Sequence, residues 1–325
     1  MNDLVLNRRQ INSIIKFILW FFFILTCAFV ISIRAFGLDS DYSAYVRFYE
    51  SLSSTFDMSE TRFEPGFYSL SYLFKTVLGL DIFWIMFFVS IISLLIKFYL
   101  FSKNDSYILI GFLYLISFAP LHEMTQVRAA LGIAFAFLAL YRMHESKKLQ
   151  ALFLLFIAIS LHYSTIYIGL ALIIPGRFIT NKLNMKSVLV YSLFATFIVY
   201  LAFGFIISFF PIIDLYVKRA SIETFNFMSV RVVFLIPVLM IGYSSFKNFN
   251  EFQKRCFLLS FVGMVITPVT SIIPTVASRL YELSMVGYFF WLPGVYNFKR
   301  SAMAIFGLVC GFLFFRNFFL APIFN

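Results

Sequence analysis

Apolar runs of roughly twenty residues recur along the whole chain, and they constrain its fold more than any other feature. The clearest run is 82–101, in which Lys97 is the one charged residue. A run of this length crosses the hydrocarbon core of a bilayer as a single helix. Charged residues make up only 13% of the chain, roughly half of what a soluble globular protein carries. The sequence therefore predicts an all-α, polytopic integral membrane protein.

We predict a single transmembrane domain over residues 1–325, with about 10–12 membrane helices, some of them re-entrant or broken. An external polar loop over residues 34–64 follows the first span. The first span, 14–33, is too long for a signal-peptide core and lacks a small-residue cleavage site, which places the N-terminus in the cytoplasm. The predicted clear spans are 14–33, 82–101, 107–120, 129–141, 187–210, 232–246, 257–273, 283–296 and 302–320.

Two segments, 65–80 and 149–174, leave two topologies open. In one, each segment crosses the membrane once. In the other, 65–80 is an interfacial or re-entrant helix, and 149–174 is a hairpin from the cytoplasmic side with His162 near its tip. The second topology assigns 16 of the 26 Lys and Arg residues, Lys97 among them, but only four of the 15 acidic residues, to the cytoplasmic side. The positive-inside rule favours it and explains the net charge of +11 without a nucleic-acid partner.

The stretch 121–128 concentrates ionisable groups between two apolar runs. It contains His122, Glu123 and Arg128. Ionisable residues at membrane depth are expensive and usually functional. Arg128 could be an interfacial snorkelling residue with Glu123 as its salt-bridge partner. That reading leaves His122 unexplained, so we favour a functional one.

The other polar residues near the outer side point to an anionic ligand. His162 interrupts an apolar segment, and Arg231 and Arg279 each lie at the outer edge of a span, with Glu282 three residues after Arg279. Each Arg alone could be a snorkelling anchor. The outer basic set is nevertheless mostly Arg, whose planar guanidinium matches phosphate and carboxylate oxygens.

The external loop contains Asp41, Tyr45 and Tyr49 at helical i, i+4 spacing. One helix face would then present a carboxylate and two phenols, which suit sugar hydroxyls and sugar ring faces. The alternative is an amphipathic interfacial helix capped by Asp39. Glu64 precedes Pro65 at a loop-to-helix junction, where a carboxylate commonly stabilises the helix start.

Five short motifs follow one another over about residues 34–295. They are Arg34 with Gly37-x-Asp39, Asp41, Tyr42 and Tyr45; Glu64-Pro65-Gly66-Phe67; Arg128 before a small-residue helix; His162-x-Ser164; and Arg279-Leu280-Tyr281 before Leu292-Pro293. Together they resemble the EpsG-type family of Wzy-like polysaccharide polymerases. One departure is Ala129, where Gln is common in the family. It puts in doubt a side-chain role at that position and not at Arg128.

The resemblance implies a GT-C-like glycosyltransferase of the bacterial inner membrane, with its site facing the periplasm. Such an enzyme joins undecaprenyl-pyrophosphate-linked oligosaccharides, as donor and acceptor, into O-antigen or exopolysaccharide. Membrane lipid, a chain-length regulator and a flippase of the same pathway are the implied partners. No cofactor or metal is expected, because Arg side chains can stabilise the pyrophosphate.

Under this resemblance, each candidate residue receives a role. Glu123 and His162 are the first candidates for the base, with Glu64 third. The predicted catalytic residues are Arg128, Glu123, His162 and Arg279. The predicted substrate-binding residues are Arg34, Asp39, Asp41, Tyr45, Glu64, His122 and Arg231. The alternative functions are a flippase or transporter of the lipid-linked sugar, an O-antigen ligase, or another GT-C-type transferase.

Overall fold

The computed structural model describes residues 8–39, 41–58, 63–181, 184–209, 229–271 and 273–324. Helices and their connections make up these residues, together with one isolated antiparallel bridge between Asp39 and Phe324. The α-helices are α1 (Arg8–Ser32), α2 (Tyr42–Ser51), α3 (Pro65–Tyr72), α4 (Ile82–Phe101), α5 (Tyr107–Ser117), α6 (Val127–His144), α7 (Lys148–Leu161), α8 (Ile166–Ile173), α9 (Gly176–Asn181), α10 (Met185–Phe209), α11 (Val230–Val233), α12 (Leu235–Ser245), α13 (Glu251–Thr270), α14 (Pro274–Trp291) and α15 (Lys299–Phe315).

Four helical stretches in the described part of the chain are long and apolar enough to cross a membrane. They are Ile82–Phe101, Val127–His144, Glu251–Thr270 and Lys299–Leu320. Several shorter apolar helices accompany them. The prediction of an all-α, polytopic membrane protein is therefore confirmed.

The predicted span 107–120 is broken rather than continuous. Helix α5 ends at Ser117, and a π-helical turn follows over Pro120–Thr125. Pro120 has no backbone N–H to continue an α-helical ladder, so the hydrogen-bond pattern changes there. We call Pro120–Thr125 the π turn. Such turns are rare and are frequently found at functional sites.

Segment 149–174 forms a hairpin. Gly169 in α8 packs against Leu155 in α7, and His162 lies midway between them in sequence. The two ends of the hairpin, near Lys148 and Ile174, line one cavity together with Met143 at the end of α6. Both ends therefore lie on one side, as the second topology predicts.

The tip of the hairpin reaches the opposite end of α6. A Cβ atom on Gly132 would lie 3.1 Å from the Cβ of His162 and 3.1 Å from the carbonyl oxygen of Ala158. Gly132 is in the second turn of α6. His162 thus lies at the depth where α6 begins.

Segment 65–80 stays beside the loop 34–64. Lys75 Nζ donates to the carbonyl oxygens of Glu50, at 2.6 Å, and Leu52, at 2.9 Å. The Tyr49 hydroxyl donates to the carbonyl of Leu80 at 2.8 Å. These contacts hold the second half of the segment near α2, so α4 begins beside the loop, as the second topology predicts.

Helices α13 and α14 form a close pair because small residues face each other. Gly263 abuts Ser284, and Gly287 abuts Ser260. Without large side chains in between, the two backbones approach closely, as is common in membrane interfaces. The indole of Trp291, the last residue of α14, donates to Ser260 Oγ of α13 at 3.0 Å and so joins the two helices. The pairing fixes α14, whose first turns carry Arg279.

Candidate functional site

Glu64 forms the centre of a buried polar cluster. It occupies the position before Pro65, the first residue of α3, but its side chain makes no capping hydrogen bond. One carboxylate oxygen, Oε2, accepts a hydrogen bond from Arg128 Nη1. The other, Oε1, lies 2.8 Å from His162 Nδ1. Glu64 is thus the N-cap residue of α3 by position, as expected, but its carboxylate joins α3 to α6 and to the hairpin tip instead of bonding the helix backbone.

Two glycines allow these elements to approach. A Cβ on Gly66 would lie 2.5 Å from Ser160 Oγ and 2.8 Å from the Ser160 carbonyl oxygen. Backbone cannot yield as a flexible side chain can, so a larger residue would push α3 away from α7. Gly132 has the same relation to the hairpin tip from the side of α6. These glycines are the local sequence signal for the convergence at Glu64.

Aromatic rings surround Arg128. Its guanidinium carbon lies 4.5 Å from the Phe63 ring centroid and 5.7 Å from that of Tyr45. Its Nε lies 3.5 Å from the Tyr45 hydroxyl. Phe63 in turn stacks on Phe48, with centroids 3.9 Å apart. We call Tyr45, Glu64, Arg128 and His162 the Glu64 cluster.

The Glu64 cluster has a defined protonation pattern. Burial alone would raise the pKa of Glu64, but the hydrogen bond with His162 and the charge of Arg128 outweigh it and lower that pKa. An ionised carboxylate only accepts hydrogen bonds, so His162 Nδ1 is the donor. In a neutral imidazole, Nε2 is then the unprotonated acceptor. This Nε2 is buried and has no partner among the described residues.

His122 is a second buried imidazole near this cluster. It is 1% exposed, and its two ring nitrogens lack partners within the described ranges. Lys97, Arg279 and His162 are all near enough to act on it electrostatically. An unpartnered buried polar group costs about 1–3 kcal/mol, so the π turn presents His122 at a place suited to a polar ligand or water.

Glu123 contacts Lys97 and not Arg128, the partner that the sequence had offered. Its Oε1 lies 2.5 Å from Lys97 Nζ, 2.7 Å from the Tyr114 hydroxyl and 3.1 Å from Ser93 Oγ. The alternative in which Glu123 is the salt-bridge partner of Arg128 is wrong, because Arg128 pairs with Glu64. Lys97 is also not at the aqueous end of α4: it is 0% exposed. Helical side chains lean towards the N-terminus of their helix, which brings Nζ to the depth of Ser93.

Arg34 and Asp39 are mutual partners rather than free ligands. Arg34 Nη1 lies 3.4 Å from Asp39 Oδ2 and also donates to the carbonyl of Met124 in the π turn. Asp39 Oδ1 accepts the backbone N–H groups of Asp41 and Tyr42, each at 3.0 Å. Asp39 therefore bonds the backbone at the start of α2, as the capping alternative expects, although the N-cap position itself is held by Asp41.

The remaining predicted site residues lie at the margin. Asp41 is exposed beside the start of α2. Arg279, in α14, has a side chain that is 36% exposed and lies 3.3 Å from Glu282. Arg231 lies in α11 (Val230–Val233), and its side chain is outside the part that the structure describes.

The EpsG family model matches residues 17–324, which is nearly the whole chain. This chain belongs to the EpsG family. The family is linked to exopolysaccharide biosynthesis. No curated protein and no solved structure matches the chain in the same comparisons.

In this EpsG-family protein, the Glu64 cluster brings together an imidazole, a carboxylate that holds it and a guanidinium group. His162 Nε2 can accept a proton, the Glu64 carboxylate fixes the imidazole from the other side, and Arg128 contributes positive charge. Among residues that sequence reasoning missed, Phe63 packs on Arg128 and Lys97 pairs with Glu123. The signal for Lys97 was its position as the one charge in the apolar run 82–101.

Proposed function

We propose that this EpsG-family protein is a polymerase that joins undecaprenyl-pyrophosphate-linked oligosaccharide repeat units into a surface polysaccharide on the periplasmic face of the inner membrane. The observation that carries the proposal is the unpartnered Nε2 of His162, which lies on the ring held by Glu64 beside Arg128. A base and a fixed cation in a membrane protein of this family fit glycosyl transfer from a lipid pyrophosphate.

The transfer step follows from the protonation pattern. A hydroxyl of the acceptor sugar donates its proton to His162 Nε2 as its oxygen bonds to the anomeric carbon of the donor. The bond between that carbon and the pyrophosphate oxygen breaks, and undecaprenyl pyrophosphate leaves with the electron pair. The imidazolium is stabilised by the ionised Glu64, and its proton passes to the departing pyrophosphate or to water. General base catalysis of this kind contributes about 10²–10⁴-fold.

Arginines stabilise the leaving group. The side chains of Arg128 and Arg279 are 24% and 36% exposed, so each can reach a ligand while keeping a carboxylate partner. Donors that are fixed before the reaction stabilise charge as it develops. We extend this role to Arg231. A divalent cation is not required by this step, because the guanidinium groups supply the positive charge.

The proposed sugar-binding residues lie near the Glu64 cluster. Asp41 is exposed just before α2, one helical turn from Tyr45. Its carboxylate suits sugar hydroxyls, and the partly exposed ring of Phe63 suits a sugar ring, whereas the buried Tyr45 contacts Arg128. His122 contacts the substrate or a water beside it. Arg34 and Asp39 act indirectly, since they bind the π turn and α2.

The proposal is tested by complementing a strain that lacks this gene with His162→Ala and Arg128→Ala. We expect short lipid-linked units to accumulate and long polysaccharide to disappear. The matched controls are His144→Ala and Arg177→Ala, both at the other end of the molecule, which should polymerise normally. Long polysaccharide from His162→Ala and Arg128→Ala at wild-type protein levels would remove the assignment.

A flippase for the lipid-linked sugar is the second candidate. The buried Lys97–Glu123 pair favours it, because transporters place ionisable groups within the membrane. The location of the accumulated units separates the two functions: loss of a flippase traps them in the cytoplasm, and loss of a polymerase leaves them on the periplasmic face. A ligase would instead leave normal long chains unattached to their final acceptor.

A further inference from the structure

A completely buried hydrogen-bond network joins α4, α5 and the π turn. Its members are Ser93, Lys97, Tyr114 and Glu123, each at most 1% exposed. Lys97 Nζ lies 2.9 Å from Ser93 Oγ, 2.8 Å from the Tyr114 hydroxyl and 2.5 Å from Glu123 Oε1. No step of the proposed transfer uses these groups.

The ammonium group of Lys97 is saturated by this network. It has three N–H donors and three acceptors, one from each neighbouring side chain. The Tyr114 hydroxyl accepts from Lys97 and donates to Glu123, and Ser93 donates to Glu123 or to the carbonyl of Ala130 at 3.0 Å. A saturated ammonium is held in one place, which suits positioning rather than ligand binding.

The network and Arg34 bind the π turn at two consecutive residues, Glu123 and Met124. Lys97 binds the side chain of Glu123, and Arg34 donates to the backbone carbonyl of Met124. The residue before them, His122, has two unpartnered ring nitrogens. The Ser93 contact with Ala130 reaches the first turn of α6, two residues after Arg128. The orientation of both functional side chains therefore depends on this turn.

We propose that Lys97 is a positioning residue, which fixes the π turn and the start of α6 so that His122 and Arg128 face the substrate. This role rests on the proposed polymerase function. Replacing one partner leaves a buried charge unpaired, whereas replacing both with apolar residues is often tolerated in folding. The double replacement thus separates the positioning of the turn from the stability of the fold.

The test compares Lys97→Met with Lys97→Met/Glu123→Leu in detergent-purified protein, with Lys103→Met as the control. Lys103 lies just beyond the same helix, over the Tyr99 ring. One readout is the amide hydrogen exchange of residues 120–127. The other is the kcat and KM for lipid-linked oligosaccharide extracted from a strain that lacks this gene. A melting temperature reports folding.

We expect Lys97→Met to raise exchange and lower kcat by about tenfold or more, with KM within about threefold. The double variant should regain the wild-type melting temperature but keep the fast exchange and the low kcat. The proposal would be overturned if the double variant recovered kcat together with stability, or if it failed to fold, since Lys97 would then serve folding alone. Unchanged amide exchange in both variants would also overturn it, because Lys97 would then not fix the π turn. If the wild-type protein joins no units, the proposed polymerase function is wrong. The hydrogen-exchange data then still show whether Lys97 fixes the π turn.

Discussion

His162 and Glu64, 98 positions apart in the chain, are joined by a 2.8 Å contact between Nδ1 and Oε1. The contact links the tip of a membrane hairpin to the end of an external loop. It sets the imidazole tautomer, because the ionised carboxylate can only accept. In the neutral imidazole, the ring nitrogen that remains free to accept a proton is therefore Nε2.

Glu64→Gln should lower the rate of chain elongation by about a hundredfold, with little change in protein level. The amide can donate to the imidazole and so permits the wrong tautomer at Nε2. The rate is measured with purified protein and lipid-linked oligosaccharide. Glu50→Gln, an exposed change on the same loop, is the control. A rate above half of the wild-type value would contradict the role of Glu64 in orienting the imidazole.

The stability contributed by Glu64 should depend on pH in a defined direction. The pKa of Glu64 is lowered in the folded protein, so its ionised form is stabilised by folding. This contribution is present above the ordinary pKa of a glutamate, about 4.3, and is lost as the pH falls through the lowered value. The difference in melting temperature between wild type and Glu64→Gln should be larger at pH 7 than at pH 4. An equal difference at both values would contradict the shift.

Gly66→Ala should destabilise the protein by about 1–3 kcal/mol and reduce elongation, because the added methyl group meets the Ser160 backbone. Gly311→Ala is the matched control, since a Cβ there meets nothing within 4 Å. Thermal unfolding and elongation rate are measured for both variants. Equal stability of the two variants would show that α3 and α7 do not need this close approach.

Asp39→Ala and Asp41→Ala should have different effects although the two residues are neighbours. Asp39→Ala should lower stability by about 3–5 kcal/mol, because it removes the acceptor of two backbone N–H groups and leaves the buried Arg34 without its ion-pair partner. Asp41→Ala should leave the melting temperature unchanged and raise KM for the lipid-linked sugar. A KM that is unchanged in Asp41→Ala would exclude that residue from sugar binding.

Cysteine labelling should place Ser54→Cys and Leu78→Cys on one side of the membrane and Lys147→Cys on the other. The native thiols, Cys27, Cys256 and Cys310, are replaced beforehand. An impermeant maleimide added to intact cells reports the outer side. Labelling of Ser54→Cys together with Lys147→Cys, while Leu78→Cys stays unlabelled, would show that segment 65–80 crosses.

The membrane helices follow from hydropathy because a bilayer leaves few alternatives for a long apolar run. The prediction 82–101 coincides with α4, and the hairpin 149–174 follows from the placement of positive charge. The break after α5 was not predicted. Pro120 and the polar residues behind it are consistent with a helix end, and only the packing of Glu123 against α4 shows that the chain continues as a π turn.

Pairing between distant charges could not be predicted from sequence. Proximity in the chain suggested Glu123 for Arg128, whereas Glu64 is the partner, 64 positions away. The choice depends on where α3 contacts α7, which a single glycine decides. Lys97 is a second example. Its charge predicted that it lies at the aqueous end of its helix, but it pairs with the buried Glu123, and hydropathy does not reveal such a partner.

The hairpin also determines how deep the reaction lies. Helix α7 has 14 residues, a length of about 21 Å, whereas the hydrocarbon core is about 30 Å thick. With Lys148 at one boundary, His162 lies roughly 9 Å below the other. Under the proposed function, the acceptor sugar would have to reach His162 below the level of the lipid headgroups. We expect a site at this depth to admit the slender end of a glycan and to exclude branches close to that end, so that the depth of the tip would limit which repeat units are joined.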